Sequence, residues 1–289
     1  MTNFLVTIGV GLATAAILAL SAVAFTLEYA VSRIANFAHG EFLTIGAYVA
    51  YSTQGIFHQN VAAAAAAGMV AGLLLNTLVI EQFRGRSAIT VLIATLGVAL
   101  VAENVLDMIY GAANVTYSYA QGSLHHVGPF LWTTSDIEVI VSALVVAGLI
   151  YLLLQRTRFG KAIRAVSQDR ALARVSGIPA RRIIMGTWAL AGAVAGFAGF
   201  ALAATIGTFG PLLGFNFLLL TITATVAGGL GRPYATLGGA LIVGLAIQIA
   251  GTYTSSAYEL VFAFLLLVLL MLFRPNGVFV RRSSVTVRA

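Results

Sequence analysis

Long apolar stretches, separated by short breaks, follow one another from end to end of this chain and constrain its fold more than any other feature. A helix rises 1.5 Å per residue, so about 20 apolar residues are needed to cross the hydrocarbon of a bilayer. Nine such stretches fall at residues 4–25, 35–57, 61–82, 88–110, 137–155, 183–206, 216–231, 233–252 and 258–273. No water-soluble core of 289 residues needs that many helices apolar all round. Hydrophobic residues make up 60% of the chain and charged residues only 9%, with a mean hydropathy of +0.98. Ordinary soluble domains carry about 25% charged residues. The expectation is an all-α, polytopic transmembrane bundle of 8–9 spans, forming a single domain over residues 1–289.

The net charge of +7 would suit nucleic acid if it were spread over a surface, but it is not. Eight of the sixteen Lys and Arg lie between Arg156 and Arg182, four lie at Arg274, Arg281, Arg282 and Arg288, and Arg84 and Arg86 form a smaller group. Basic residues in short loops mark the cytoplasmic side. The connection 111–136 has no Lys or Arg and carries Tyr117, Tyr119 and Trp132, aromatics suited to a headgroup boundary. Loop 156–182 and the tail 274–289 are therefore expected inside. Three candidate spans before Arg84 put the amino terminus outside, unless the segment around 28–46 is broken or re-entrant. Thr26-Leu27-Glu28 is a poor cleavage site, so the first stretch is expected to remain as a span.

Several function classes lack the residues they need. There is no cysteine for a disulfide, thiolate metal site or nucleophile. Gly160-Lys161 has no upstream glycine of a phosphate-binding loop, and His39, His58, His125 and His126 are scattered over different segments. No cofactor or metal is expected in this chain. The connections are also too short to hold a nucleotide-binding or receptor domain.

Loop 156–182 is the longest inside connection. From Asp169 to Val175 every residue suits a helix or its first turn, Gly177 stops it, and Pro179 follows. Ala171, Leu172 and Val175 fall on one face by the three- and four-residue rule, which would let this short helix dock in a groove of a soluble partner. The plainer alternative is a basic loop that only fixes orientation.

Polar groups inside the apolar stretches form two sets. Glu28, Arg33, Asn36, His39 and Glu41 crowd the second stretch. A charge at the bilayer centre costs about 2.5–3.5 kcal/mol on insertion scales, so such groups face protein or water. His39 and Glu41 lie on different faces of a continuous helix and converge only if the backbone bends near Gly40. Asn36 and Glu41 could instead satisfy backbone groups at a break, or line a translocation path. Glu103 and Asp107, with Asn104 beside them, share a face of the fourth stretch as either a hydrated rim or a receiver for an arriving ammonium. Thr95, Asn76 and Gln248 suit hydrogen bonds between helices. The Gly68/Gly72 and Gly192/Gly196 pairs allow helix backbones to approach closely. Gly228, Gly229, Gly231 and Pro233 mark either an interrupted helix at a substrate path or a plain hairpin.

The string Gly160, Ala162, Arg164, Ala165, Asp169, Ala173, Gly177, Ile178 resembles the coupling loop of branched-chain amino acid ABC importer permeases, the LivH-like family. The resemblance extends to Asn36-Phe37-Ala38-His39-Gly40-Glu41 with Gly46-Ala47-Tyr48, and to Gly228-Gly229-Leu230-Gly231 leading to Gly238-Gly239. Asp169 stands where the broader ABC-importer motif has a glutamate. The resemblance implies an ABC importer permease fold and a permease subunit for branched-chain or related hydrophobic amino acids. It implies a second permease subunit, two ATPase subunits carrying ATP and Mg, an extracytoplasmic binding protein, and a place in the bacterial inner membrane. Other amino acids, urea and amides stay open as substrates. The rivals are an ion-gradient transporter using Glu41, Glu103 or Asp107, and a lipid-acting intramembrane enzyme, for which no catalytic constellation presents itself.

Overall fold

A computed structural model describes residues 2–53, 57–117, 124–127, 130–255, 258–274 and 277–279. Eleven helices dominate them: α1 (Thr2–Ser32), α2 (His39–Ser52), α3 (Phe57–Leu75), α4 (Ala88–Tyr110), α5 (Thr134–Arg156), α6 (Arg158–Gln168), α7 (Arg170–Val175), α8 (Ala180–Ile206), α9 (Leu213–Gly228), α10 (Pro233–Tyr253) and α11 (Glu259–Phe273). Among the described residues, six segments are long and apolar enough to cross a membrane, and α9 and α11 are shorter apolar helices. Two small antiparallel pairs close one end: β1 (Val115–Thr116) with β4 (Thr208–Phe209), and β2 (Leu124–Val127) with β3 (Phe130–Thr133). Tyr119 and Arg281, Arg282 and Arg288 lie outside the described residues.

Local signals set many boundaries. Ser87 caps α4 by accepting from Thr90 N–H, Thr133 and Asp136 form a reciprocal capping box at α5, and Pro233 opens α10 at its first position. Two boundaries depart from the sequence pattern. The stretch 4–25 extends to Ser32, because Glu28 is paired inside the bundle and does not terminate the helix. The stretch 35–57 shortens to a 14-residue α2, preceded by a non-helical turn at residues 33–38. Arg33 starts that turn with a φ of 59°. A left-handed conformation costs a non-glycine residue about 1–2 kcal/mol, which the contacts of the turn must offset.

The bundle is built from two halves of opposite direction. α1 ends beside loop 156–182, where Arg33 Nη2 donates to Ser167 O, and α8 starts at that same end, where Arg181 grips Glu81. The long helix α1, short α2, α3 and α4 thus run opposite to the long helix α8, short α9, α10 and α11, with α5–α7 as the connector. Pairing across the halves is reciprocal: α1 packs on α10 and α8 on α3. Gly40 and Gly214, each the second residue of its short helix, meet backbone to backbone; a Cβ at Gly40 would lie 2.5 Å from Gly214 O. Such inverted repeats are a transporter architecture. The α3–α8 seam holds both small-residue pairs named from the sequence: a Cβ at Gly192 would sit 2.2 Å from Gly68 O, and one at Gly72 2.5 Å from Trp188 O.

Three crossings precede Arg84, since α2 and the turn before it together traverse the bundle. Near its end, Ser52 Oγ meets Tyr110 OH at 2.6 Å and Thr53 Oγ1 donates to Asn60 Oδ1. Residue 9 lies against Trp132, so α1 begins at the end opposite Arg84. The glycine passage resolves as the plain hairpin: α9 stops at Gly228, Gly229–Arg232 turn, and Val278 N–H donates to Ala227 O.

Candidate functional site

Two places in this frame gather the residues singled out from the sequence. The first is the connection 156–182, which folds as an elbow of two helices. Thr157 caps α6 by accepting from Gly160 N–H, and α6 turns back so closely on α5 that a Cβ at Gly160 would lie 2.3 Å from Leu153 O. Arg164 Nη1 donates to Leu154 O. Ile163 and Val166 are buried, Ala162 and Ala165 half-buried, and α6 rests on α5 and α8.

Asp169 then caps α7, its Oδ1 accepting from Ala171 N–H at 2.8 Å and Leu172 N–H at 3.0 Å. The far end closes as a Schellman motif. Gly177 N–H donates to Arg174 O, Ile178 N–H donates to Ala173 O, and Gly177 takes the left-handed φ of 81° that glycine accepts without strain. Ala173 is buried against the half-buried Ile178. Gly160, Arg164, Asp169, Ala173, Gly177 and Ile178 therefore all have intramolecular contacts that fix the elbow's shape. Asp169 is engaged with its own helix. What the elbow presents outward is Leu172, 64% exposed, and Val175, 87% exposed, with Ala171 beside them. The periodicity of residues 169–175 already places these three on one face.

The second place is the polar centre around the α1–α2 turn. Glu28 and His39 are both fully buried, with His39 Nδ1 2.7 Å from Glu28 Oε1. Asn36 Nδ2 donates to Glu28 Oε2 at 2.8 Å, and Asn36 Oδ1 accepts from Ala38 N–H at 3.0 Å. On its other side His39 Nε2 lies 3.3 Å from Ser21 Oγ, which is 2.8 Å from Thr221 Oγ1 on α9. Phe25 and Phe42 meet the imidazole edge-on. A chain of polar contacts thus ties α1, the turn, α2 and α9 together in the interior.

Glu41 departs on the opposite face, so the bend lies before His39 at residues 33–38 and not at Gly40, and the two side chains do not converge. Asn36 satisfies a backbone group at the break, whereas Glu41 does not; its Oε2 is buried and has no hydrogen-bond partner among the described residues. Glu103 and Asp107 lie on α4, which packs against α2. Both acids are half-buried, and Asp107 Oδ1 has no hydrogen-bond partner among the described residues. Asn104 is exposed and donates to Leu100 O of its own helix. Above these acids Tyr48, Tyr51, Tyr110 and Phe209 pack as an aromatic cluster. Thr95 ties α4 to the α1–α2 turn rather than to another helix, accepting from Phe37 N–H, and the Asn76 amide is buried without a partner among the described residues, inside a π-helical turn at Asn76–Ile80.

His125 stands within reach of Thr134, while the side chains of His58 and His126 lie outside what the structure describes. No group of three or more His, Asp or Glu able to hold a metal occurs among the described residues.

Comparison with known proteins fits this architecture. The chain is similar to the high-affinity branched-chain amino acid transport system permease protein LivH of Salmonella typhimurium, at 28% identity over 90% of each chain. It is 29% identical to BraD of Pseudomonas aeruginosa, a permease protein of the same kind of system, over 93% of each chain. It also resembles the fructose import permease protein FrcC of Rhizobium meliloti, at 31% identity over 52% of this chain and 43% of that one. Residues 7–271 match the family described as the permease component of the branched-chain amino acid transport system. With its inverted helical halves and multiple apolar crossings, the chain belongs to that family of ABC importer permease subunits.

Proposed function

We propose that this permease subunit forms, with a second permease subunit of the same or a homologous chain, the conduit for branched-chain or similarly hydrophobic amino acids. The substrate assignment rests on LivH and BraD, whose names carry it and which align along nearly the whole chain. ATP and Mg belong to two ATPase subunits, and an extracytoplasmic binding protein delivers the amino acid. Residues 1–289 act as one permease domain in the inner membrane, with the elbow 156–182 and the tail 274–289 in the cytoplasm. The placement of the basic residues supports this sidedness.

The observation that carries the coupling reading is the exposed apolar face of Leu172 and Val175 on a short helix capped at both ends. Two bare aliphatic side chains on a rigid six-residue helix offer what a groove in an ATPase would grip. Closure of the ATPases would push the elbow and switch the bundle between inward-open and outward-open states. On the substrate side, Glu41, Glu103 and Asp107 on the α2–α4 face group carboxyl oxygens that can receive an ammonium in a poorly hydrated passage. Leu172→Asp combined with Val175→Asp tests the coupling reading. The variant should insert normally and lose co-purifying ATPases and uptake together; retained ATPases with normal uptake overturn it. Ser167→Cys should react with an impermeant thiol reagent only after the cells are opened.

A further inference from the structure

At the elbow end, a cavity of about 250 Å³ opens between the α1–α2 turn, the α3–α4 connection and α7. Arg33, Arg84, Arg86 and Arg170 line it, over an apolar floor that includes Phe83 and Val91. The chain has nine acidic residues, and those at this end are already committed. Glu81 is held by Arg181 through two parallel contacts, Nε to Oε1 at 3.0 Å and Nη2 to Oε2 at 2.8 Å, and Asp169 caps α7. The Arg170 Nε and Nη2 atoms are buried and have no hydrogen-bond partner among the described residues. A guanidinium stripped of water and left unpaired is costly, and so is a cluster of like charges. Burial holds the Arg170 side chain below its ordinary basicity, and the neighbouring Arg84 and Arg174 charges push in the same direction against the smaller opposing pull of Glu81. Arg84 is lowered too, by burial first and by Arg174 and Arg181 after it.

We propose that this cavity binds a phosphate-bearing anion, its oxygens held by Arg84 and Arg170 and any glycerol or acyl portion resting on Phe83 and Val91. Guanidinium groups present paired N–H donors that match phosphate oxygens, and their convergence from three separate segments makes the site a fold product. The apolar floor, at the level where α3 and α4 enter the bundle, favours the phosphate of an anionic phospholipid over a free ion. Basic pockets between transmembrane helices on the cytoplasmic side take such headgroups. An anion there would bridge the α1–α2 turn to the elbow.

The test uses the full chain in detergent with phosphatidylglycerol, phosphatidylcholine or inorganic phosphate, read by native mass spectrometry and by thermal retention of the monodisperse peak. The wild type should retain phosphatidylglycerol over phosphatidylcholine. Arg84→Ala with Arg170→Ala should weaken phosphatidylglycerol binding about thirtyfold, with Arg232→Ala, on the α9–α10 turn, serving as the charge control that retains it. Stabilisation by phosphate alone, lost in the double variant, supports the shared chemistry with a soluble source; stabilisation by the lipid alone identifies the headgroup. Equal lipid and phosphate binding by wild type and double variant overturns the proposal. So does a double variant that keeps both ligands but loses the ATPases, which would make the arginines a protein contact.

Discussion

Removing Glu28 is the sharpest single perturbation of the interior. Glu28→Ala takes away the acceptor of both Asn36 Nδ2 and His39 Nδ1, in a place where Glu28 and His39 are fully buried and Asn36 nearly so. Each orphaned buried donor costs about 1–3 kcal/mol, so two cost about 2–6 kcal/mol. His39→Ala leaves Glu28 with Asn36 as its remaining side-chain partner and should cost about 1–3 kcal/mol for the buried oxygen left unpaired. The double variant should fall short of the sum by about 1–3 kcal/mol, because the second truncation removes a group the first has already orphaned. The assay is detergent-driven unfolding of the purified chain in mixed micelles, followed by far-UV circular dichroism. Strict additivity, or a Glu28→Ala loss below about 1 kcal/mol, would mean that water reaches the site and that the polar chain does not hold the break.

Other outcomes follow from single contacts. Gly192→Leu should abolish folding of the α3–α8 seam, since even a Cβ would meet Gly68 O at 2.2 Å, whereas Gly97→Leu, with nothing within 4 Å, should give wild-type yield on gel filtration. Asp169→Asn should keep coupled uptake, because asparagine caps a helix as well as aspartate, while Asp169→Ala should lose about 0.5–2 kcal/mol of α7 stability and much of the uptake. Equal loss in both variants would assign the carboxylate's charge to a partner instead. The hydrogen bond from Arg181 holds the Glu81 carboxyl below its usual range, so that pair's contribution is present at neutral pH and disappears only as pH falls through the lowered value. A chain titrated from pH 7 to 5 should therefore show no Arg181-dependent change in melting, and Arg181→Ala should melt like the wild type, as exposed pairs contribute little.

Where boundary residues act on their neighbours, the sequence predicts well: Ser87 and Gly111 bracket α4, and the stretch 88–110 matches Ala88–Tyr110 to the residue. Residues 169–179 are equally readable, since a cap, a left-handed glycine and a following proline are all local devices. The end of α1 is not. Glu28 looks like a helix terminus because its partners Asn36 and His39 become neighbours only after the chain has turned back. Glu41 and Glu103 belong to helices whose pairing no spacing reveals. The inverted repeat left no trace in the lengths of the apolar runs, since 35–57 reads as long as 4–25 whereas 216–231 is short; the halves match in direction and packing rather than in residue pattern.

In the coupling role proposed for the elbow, that repeat would give it leverage. α5–α7 connect two halves that are interlocked, α1 against α10 and α8 against α3, so a force applied to the connector reaches both. On one side Arg33 Nη2 donates to Ser167 O, joining α6 to the end of α1 at the strained residue where the α1–α2 turn begins. On the other, α6 and α7 rest on the first turns of α8, whose glycines seat α3 and α2. From the turn, the Glu28–His39–Ser21–Thr221 chain continues to α9. A rigid elbow is needed for this, because a floppy one would absorb a push instead of passing it on. That is a physical reason for so many of its residues to be spent on caps and close contacts while Leu172 and Val175 offer their aliphatic side chains outward. If this is how force travels, Arg33→Gly, which relieves the backbone strain and removes the link to Ser167, should leave the chain folded and the ATPases bound. Uptake should fall relative to ATP hydrolysed; unchanged stoichiometry would place the transmission wholly through α8.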